Sequence, residues 1–187
     1  MNITDLINTL HTIEKLKNIT RHSYTSNGRH ESVAEHCFRL ALMAYLVKDE
    51  FPDADIDKVI KMCLIHDLGE SFTGDIPAFN KTKSDEETEK LALHTWLMKL
   101  PEPYSGEMSA LYQEMEDRQT LEAKLYKALD GLEAVIQHNE ADLSTWSDNE
   151  FDLNLVYCED KCIFSPYLSE LRKAVREVTE KKINDVK

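Results

Sequence analysis

Between Ile65 and Pro77 the chain reads IHDLGESFTGDIP, which sets one imidazole (His66) and three carboxylates (Asp67, Glu70, Asp75) in a run otherwise made of apolar and small residues. An unpaired carboxylate in such a setting costs several kcal/mol or takes up a proton, so these groups need a cation. His66 and Asp67 are adjacent and would point about 100° apart on a helix, yet at a helix end both can turn toward one ion. Further ligand types stand on other predicted helices. His36 lies one turn into the helix opened by SVAE, and Asp130 interrupts the apolar face of KALDGLEAV. Two imidazoles with two carboxylates form a mixed nitrogen and oxygen set, suited to Mn²⁺, Co²⁺, Fe²⁺ or Zn²⁺ better than to an all-oxygen ion such as Ca²⁺. Four protein ligands on a six-coordinate ion leave room for water and a substrate oxygen, the geometry of metal-assisted hydrolysis. Each residue also has an ordinary reading. His-Asp pairs are common, His36 could line a helix surface, and Asp130 could be an exposed residue on an imperfect stripe.

The elements that would position these groups are helical almost throughout. Ile3, Leu6, Ile7, Leu10 and Ile13 form one stripe and predict a first amphipathic helix to about Asn18. RHSYTSNGRHE breaks the period and reads as a loop. Ser32 and Glu35 form a capping box for the helix that follows, to about Glu50. FPDADI is a turn with Asp55 as a cap, and the next helix carries Val59, Ile60, Cys63 and Leu64 into His66-Asp67 and ends near Gly69 or soon after. SFTGDIPAFNKTK reads as a loop, and Ser84 to Glu87 as a second capping box. A short acidic helix is expected from about Met108 to Asp117 and a long one from Thr120 to about His138. A polar connection, NEADLSTWSDNEFD, follows. The last helix begins at Ser165-Pro166, a cap with proline in the first turn. No strand alternation or internal repeat is visible, so the expected fold is a single all-α domain spanning residues 1–187, with a metal-site core over about 19–140 and C-terminal helices over 148–187.

Composition narrows the classes. The chain has 187 residues, 42% apolar and 30% charged, an ordinary globular balance with enough length for one core. A net charge of -13 argues against a nucleic acid polymer as partner, because such proteins present a basic face. No apolar run is long enough to span a membrane, and the N-terminal segment is too polar for a signal peptide. The four cysteines (Cys37, Cys63, Cys158, Cys162) form no CxxC pair and read as reduced thiols of a cytoplasmic protein.

The order ESVAEH, HDLGE…TGD, AKLYKALD resembles the HD-domain phosphohydrolases, in which His, His-Asp and Asp follow in chain order on separate helices. It is most similar to the 5'-deoxynucleotidase branch, and the pattern extends from RHSYTSNGRHESVAEH through the helix of Asp130 and weakly to SPYLSELRKAV. The resemblance implies an HD-type helical bundle with His36, His66, Asp67 and Asp130 as metal ligands. It implies a cofactor such as Co²⁺ or Mn²⁺ (or Mg²⁺, Fe²⁺, Zn²⁺), a small-molecule nucleotide substrate and a homodimer. The activity it implies is removal of phosphate from deoxyribonucleoside 5'-monophosphates.

Within that frame Glu70, four residues after His66 and so on the same helical face, would orient the attacking water or accept its proton. Asp75 follows Gly74 in a tight turn and would bond the sugar or protonate the leaving alkoxide, or simply cap the turn. The resemblance places a phosphate-gripping arginine at Arg21, where a guanidinium fork suits two oxygens. Arg29 is a second candidate, and Lys124 and Lys127 would add charge beside Asp130. One position departs: relatives usually carry Trp where His22 stands, which opens the question of selectivity against the 2'-hydroxyl. Rival readings keep the ligands and change the substrate. A nucleoside triphosphate differs mainly in pocket depth, the cyclic-dinucleotide enzymes carry a GYP element absent here, and the alarmone enzymes are usually longer. A metal- or nucleotide-sensing module with little turnover is the rival outside catalysis, and Glu70 and Asp75 argue against it.

Overall fold

The long helix is where the core forms. In the computed structural model, which describes residues 1–77 and 79–185, it runs Leu121–Glu140 (α7) and buries Ala123, Leu125, Ala128, Leu129, Leu132 and Val135 on one side. Thr120 caps it, its hydroxyl accepting from the Ala123 amide. Each fully buried leucine contributes on the order of 1.5–3 kcal/mol, so the side of α7 that carries the leucines holds the bundle. Val33–Leu46 (α2) and Ile56–Ile65 (α3) lie against it, contributing Leu40, Ala44, Val59, Met62 and Cys63 to the same core. Pro166–Asn184 (α10) covers the other flank with Leu168 and Val175. Gly131 allows that closure: a Cβ there would stand 2.5 Å from Cβ of Cys158, so a side chain would push the segment before α10 away from α7. A second cluster, Leu16, Val33, Cys37, Leu68, Leu93, Leu97 and Leu100, seats Lys83–Leu97 (α5) on the start of α2. The fold is an all-α, single-domain helical bundle, as expected.

Several local expectations are met. The capping box of Ser32 and Glu35 is formed, Asp55 caps α3, and Ser165-Pro166 opens α10. Others are corrected. Residues 21–31 are not a loop throughout: Thr20–Tyr24 (β1) and His30–Ser32 (β2) pair as a short antiparallel hairpin. Its side chains are mostly polar, so no hydrophobic alternation marked it, and it docks on α7 through the Gln137 amide, which donates to the Tyr24 carbonyl at 2.6 Å. The third helix stops at Ile65, not Gly69. Past that point the backbone tightens, with Leu68 N–H donating to Ile65 O and Glu70 N–H to Asp67 O, both at 3.0 Å, before a four-residue helix Glu70–Thr73 (α4). The expected loop over 71–83 therefore begins one turn late. The cap of α5 is Thr82 with Asp85, not Ser84 with Glu87, because the Thr82 hydroxyl and amide both reach Asp85.

The first helix, Ile3–Glu14 (α1), forms as predicted, yet its stripe buries none of its residues. The acidic helix is longer than expected, Tyr104–Asp117 (α6). The polar connection contains the start of a further helix, Asp148–Val156 (α8), followed by a short one, Glu159–Cys162 (α9). What α8 buries is Glu150 and Asn154, so no apolar stripe announced it. Ala78, in the expected loop, and Val186 and Lys187, at the end of the expected domain, lie outside the described residues. Among the described residues no helix is long and apolar enough to cross a membrane.

Candidate active site

The break after α3 is what brings the ligand types together. His66 caps α3 and Asp67 follows in the tight turn, so both side chains face α2 and α7. His36, one turn into α2, is fully buried. Its Nε2 lies 3.3 Å from Nε2 of His66 and 3.2 Å from Oδ1 of Asp130, and Nε2 of His66 lies 3.0 Å from Oδ2 of Asp67. His36 lies 3.9 Å from Asp67, and His66 3.6 Å from Asp130. All four predicted ligand residues thus meet in one cluster, in which His36, His66 and Asp67 offer donor atoms within 4.8 Å of one another.

The orientation of the rings tests whether a cation fits. His66 Nδ1–H donates to the Cys63 carbonyl at 2.9 Å, and His36 Nδ1 donates to Glu133. With Nδ1 protonated, each neutral ring aims an Nε2 lone pair inward. Two lone pairs facing each other and two carboxylate oxygens repel unless a positive charge stands among them. Donor atoms 3.0–3.9 Å apart match the edges of a site with bonds of about 2.1 Å. The donor set therefore fits a divalent cation.

Asp67 and Asp130 line a cavity of about 280 Å³. Arg21 lies beside it, Nη1 3.6 Å from Asp67 and Nε 3.4 Å from Glu31. Burial works against its charge, but Asp67, Glu133, Asp130 and Glu31 hold it firmly protonated. Lys127 sits opposite, Nζ 2.7 Å from Oδ2 of Asp130, and this pairing keeps it charged. Lys124 is exposed on the far side of α7. Arg29 is not brought to the site: it is exposed and pairs with Glu35 at 2.6 Å. The strand places Arg21 inward, whereas Arg29 lies beyond the turn, so its fork closes on the Glu35 of the capping box instead.

Glu70 and Asp75 both line the cavity. The continuous helix expected between His66 and Glu70 is replaced by the tight turn, and Glu70 still arrives beside Asp67. It is buried, and among the described residues its Oε2 has no partner. Burial, with the charges of Asp67 and Asp75, pushes its carboxyl up to about 10. Gly74, at φ 81°, ends α4 and turns the chain so that Asp75 reaches the cavity. His22 is also at the cavity, 3.0 Å from Glu150 and edge-on to Phe79 with ring centroids 5.3 Å apart.

Several site residues were not anticipated. Glu133, fully buried, accepts from His36 on one oxygen and from Arg39 on the other. Although burial opposes its charge, the His36 bond and the Arg39 charge hold its carboxyl below the usual range. Its signal was present: it stands three residues after Asp130, on the same side of α7. His138, Glu150, Asn154 and Tyr157 line the far wall; His138 read as an ordinary histidine, and α8 was hidden by its polar face. Glu133→Gln is expected to weaken metal affinity about 10–100-fold, the usual effect of losing the acceptor behind a ligating histidine, with helix content unchanged. Isothermal titration with Mn²⁺ measures it.

Fold and cluster together define a metal-dependent hydrolase centre carried on a helical bundle. The HD domain family matches residues 13–172, and the chain belongs to that family. Human 5'-deoxynucleotidase HDDC2 is 34% identical over 139 residues, covering 72% of this chain and 67% of its own length. The Dictyostelium discoideum 5'-deoxynucleotidase HDDC2 is 35% identical over 136 residues, covering 67% of this chain and 72% of its own. Among solved structures, a predicted metal-dependent phosphohydrolase from Magnetospirillum magnetotacticum superposes with a TM-score of 0.80 at 29% identity, covering 96% of this chain and 93% of that one.

Proposed function

We propose that this protein is a metal-dependent phosphomonoesterase that hydrolyses (deoxy)ribonucleoside 5'-monophosphates to nucleoside and inorganic phosphate. The observation that carries this reading is a cavity of mixed lining. Asp67 and Asp130, which touch His36 and His66, face it together with Arg21 and Lys127, and Phe79, Leu153 and Tyr157 add aromatic and apolar surface. The first set suits a phosphate and the second a nucleoside. The lining carries Arg21, Lys81 and Lys127 against Asp67, Glu70, Asp75, Glu86, Asp130 and Glu150, so a phosphate dianion is repelled by the protein alone. His36, His66, Asp67 and Asp130 would hold a divalent cation, which would offset that charge and would supply water acidification and phosphoryl polarisation; Co²⁺, Mn²⁺ and similar ions suit these donors.

The chain's own groups do the rest. Arg21 grips phosphate oxygens with its fork, and Lys127 holds a second charge beside Asp130. Glu70 takes a proton from the attacking water once positive charge beside Asp67 favours its anion. Asp75 faces the leaving oxygen or the sugar. His22 lines the cavity beside Phe79, so His22→Trp is expected to raise the deoxy-to-ribo rate ratio; an unchanged ratio removes it from selectivity.

The test is phosphate release from the four deoxyribonucleoside 5'-monophosphates, their ribo counterparts and a triphosphate, with Co²⁺, Mn²⁺ and Mg²⁺. Release from monophosphates is expected. Pyrophosphate or triphosphate release alone would move the chain to another HD branch, and silence on every ester with metal bound would make it a sensing module. We further propose a cytoplasmic homodimer. The four cysteines are free and buried, and Phe38, Leu42, Tyr45 and Leu46 form an exposed apolar stripe along α2 suited to a second copy. Phe38→Glu is expected to shift the sedimentation coefficient from dimer to monomer, and a monomeric parent protein would overturn the assignment.

A further inference from the structure

A second convergence of metal-binding side chains lies along the cavity wall, apart from the HD ligands. His22 on β1, His138 on α7 and Glu150 on α8 meet there, and all three line the cavity. Nε2 of His22 is 3.0 Å, and Nε2 of His138 2.8 Å, from the same oxygen, Oε1 of Glu150. The donor atoms of the three all lie within 4.8 Å of one another. Glu150 and His138 are buried and His22 is partly so.

The remaining polar atoms of two of these side chains are already committed. Glu150 Oε2 accepts from the Ser147 amide at 2.6 Å and the Ser147 hydroxyl at 2.7 Å, which fixes the carboxylate as the capping box of α8. His138 Nδ1–H donates to the Ala134 carbonyl at 2.8 Å, which fixes the ring. A neutral His138 therefore directs the Nε2 lone pair at an anionic oxygen 2.8 Å away. That contact is repulsive unless a positive charge intervenes. Among the described residues no lysine or arginine pairs with Glu150. A second proton on His138 with Nε2–H on His22 would make a hydrogen-bonded trio, whereas one divalent cation answers both imidazoles and the carboxylate together.

We propose that His22, His138 and Glu150 hold a divalent cation of the Zn²⁺ or Co²⁺ kind, separate from the HD ligand cluster. Two imidazoles and one carboxylate suit a borderline cation, not Ca²⁺ or Mg²⁺, and three protein ligands leave an open position. A backbone carbonyl behind the ligating ring, as Ala134 stands behind His138, is the usual support that aims an imidazole at a metal. The site joins three separate elements, so the cation clamps the β1 hairpin and α8 onto α7 and shapes the wall of the cavity that they line. It stands independently of the substrate reading, since it needs no turnover.

The experiment is a cation count on the full-length, chelator-stripped chain, titrated with Zn²⁺ and then with Co²⁺. His22→Ala and Glu150→Gln are each expected to bind one cation fewer than the parent protein. Asp67→Ala, which damages only the HD cluster, is expected to keep a cation and a visible Co²⁺ absorption that disappears when His22→Ala is added. Gln at 150 retains an oxygen for Ser147, and circular dichroism separates loss of metal from loss of fold. An unchanged count in folded His22→Ala and Glu150→Gln would overturn the proposal. So would Nε2–H proton signals from His22 and His138 that persist in saturating Zn²⁺, since these would show a hydrogen-bonded trio instead.

Discussion

Asp67→Ala is expected to abolish phosphate release while leaving the bundle folded. Asp67 lies in the turn after α3, where its side chain packs no apolar core, so its loss opens no cavity among the buried leucines. What it removes is one of two carboxylates, 3.0 Å from His66 and 3.6 Å from Arg21. Charge stabilisation of the kind a metal centre supplies is worth several kcal/mol, and each 1.36 kcal/mol is tenfold in rate, so the expected loss is about 10³-fold or more. Phosphate release and metal content measured on the same preparation check it. A variant that loses its bound cation but keeps its rate would remove the HD cluster from catalysis.

Glu70→Gln is expected to move activity and stability in opposite directions. Its rate should fall about 10²–10⁴-fold, the range for loss of a positioned acid–base group. In chelator-treated protein its melting temperature should rise. The carboxyl sits near 10 in the folded chain, through burial and the charges of Asp67 and Asp75, against about 4.3 when unfolded. Between these values the unfolded chain releases a proton that the folded chain keeps, so rising pH favours unfolding across that window. A glutamine has no such proton. The gap between variant and parent should be near zero at pH 4 and widen toward pH 8. If about 2 kcal/mol survives local relaxation, the rise is roughly 4–8 °C for a chain of this size. Adding Mn²⁺ should narrow the gap, because positive charge beside Asp67 favours the Glu70 anion. A gap that does not vary with pH would show that Glu70 is ionised in the folded chain already.

The helical class, most helix caps and the residue types of the proposed HD cluster are legible in the amino-acid sequence. Those properties are local or periodic: the stripe of α7, the reciprocal bonds of Ser32 and Glu35, and the unpaired charges in IHDLGESFTGDIP are each legible within a few turns. Only the tertiary structure decided the rest. A polar hairpin and a helix that buries Glu150 and Asn154 carry no hydrophobic period, so they exist only because α7 and α10 receive them. Arg21 and Arg29 are alike in the sequence, and packing alone sends one to the cavity and the other to Glu35. The meeting of His22, His138 and Glu150, and the place of Glu133 behind His36, depend on contacts between elements far apart in the chain. Spacing along one segment cannot encode those, because the distances that decide them are set by how the helices close on one another.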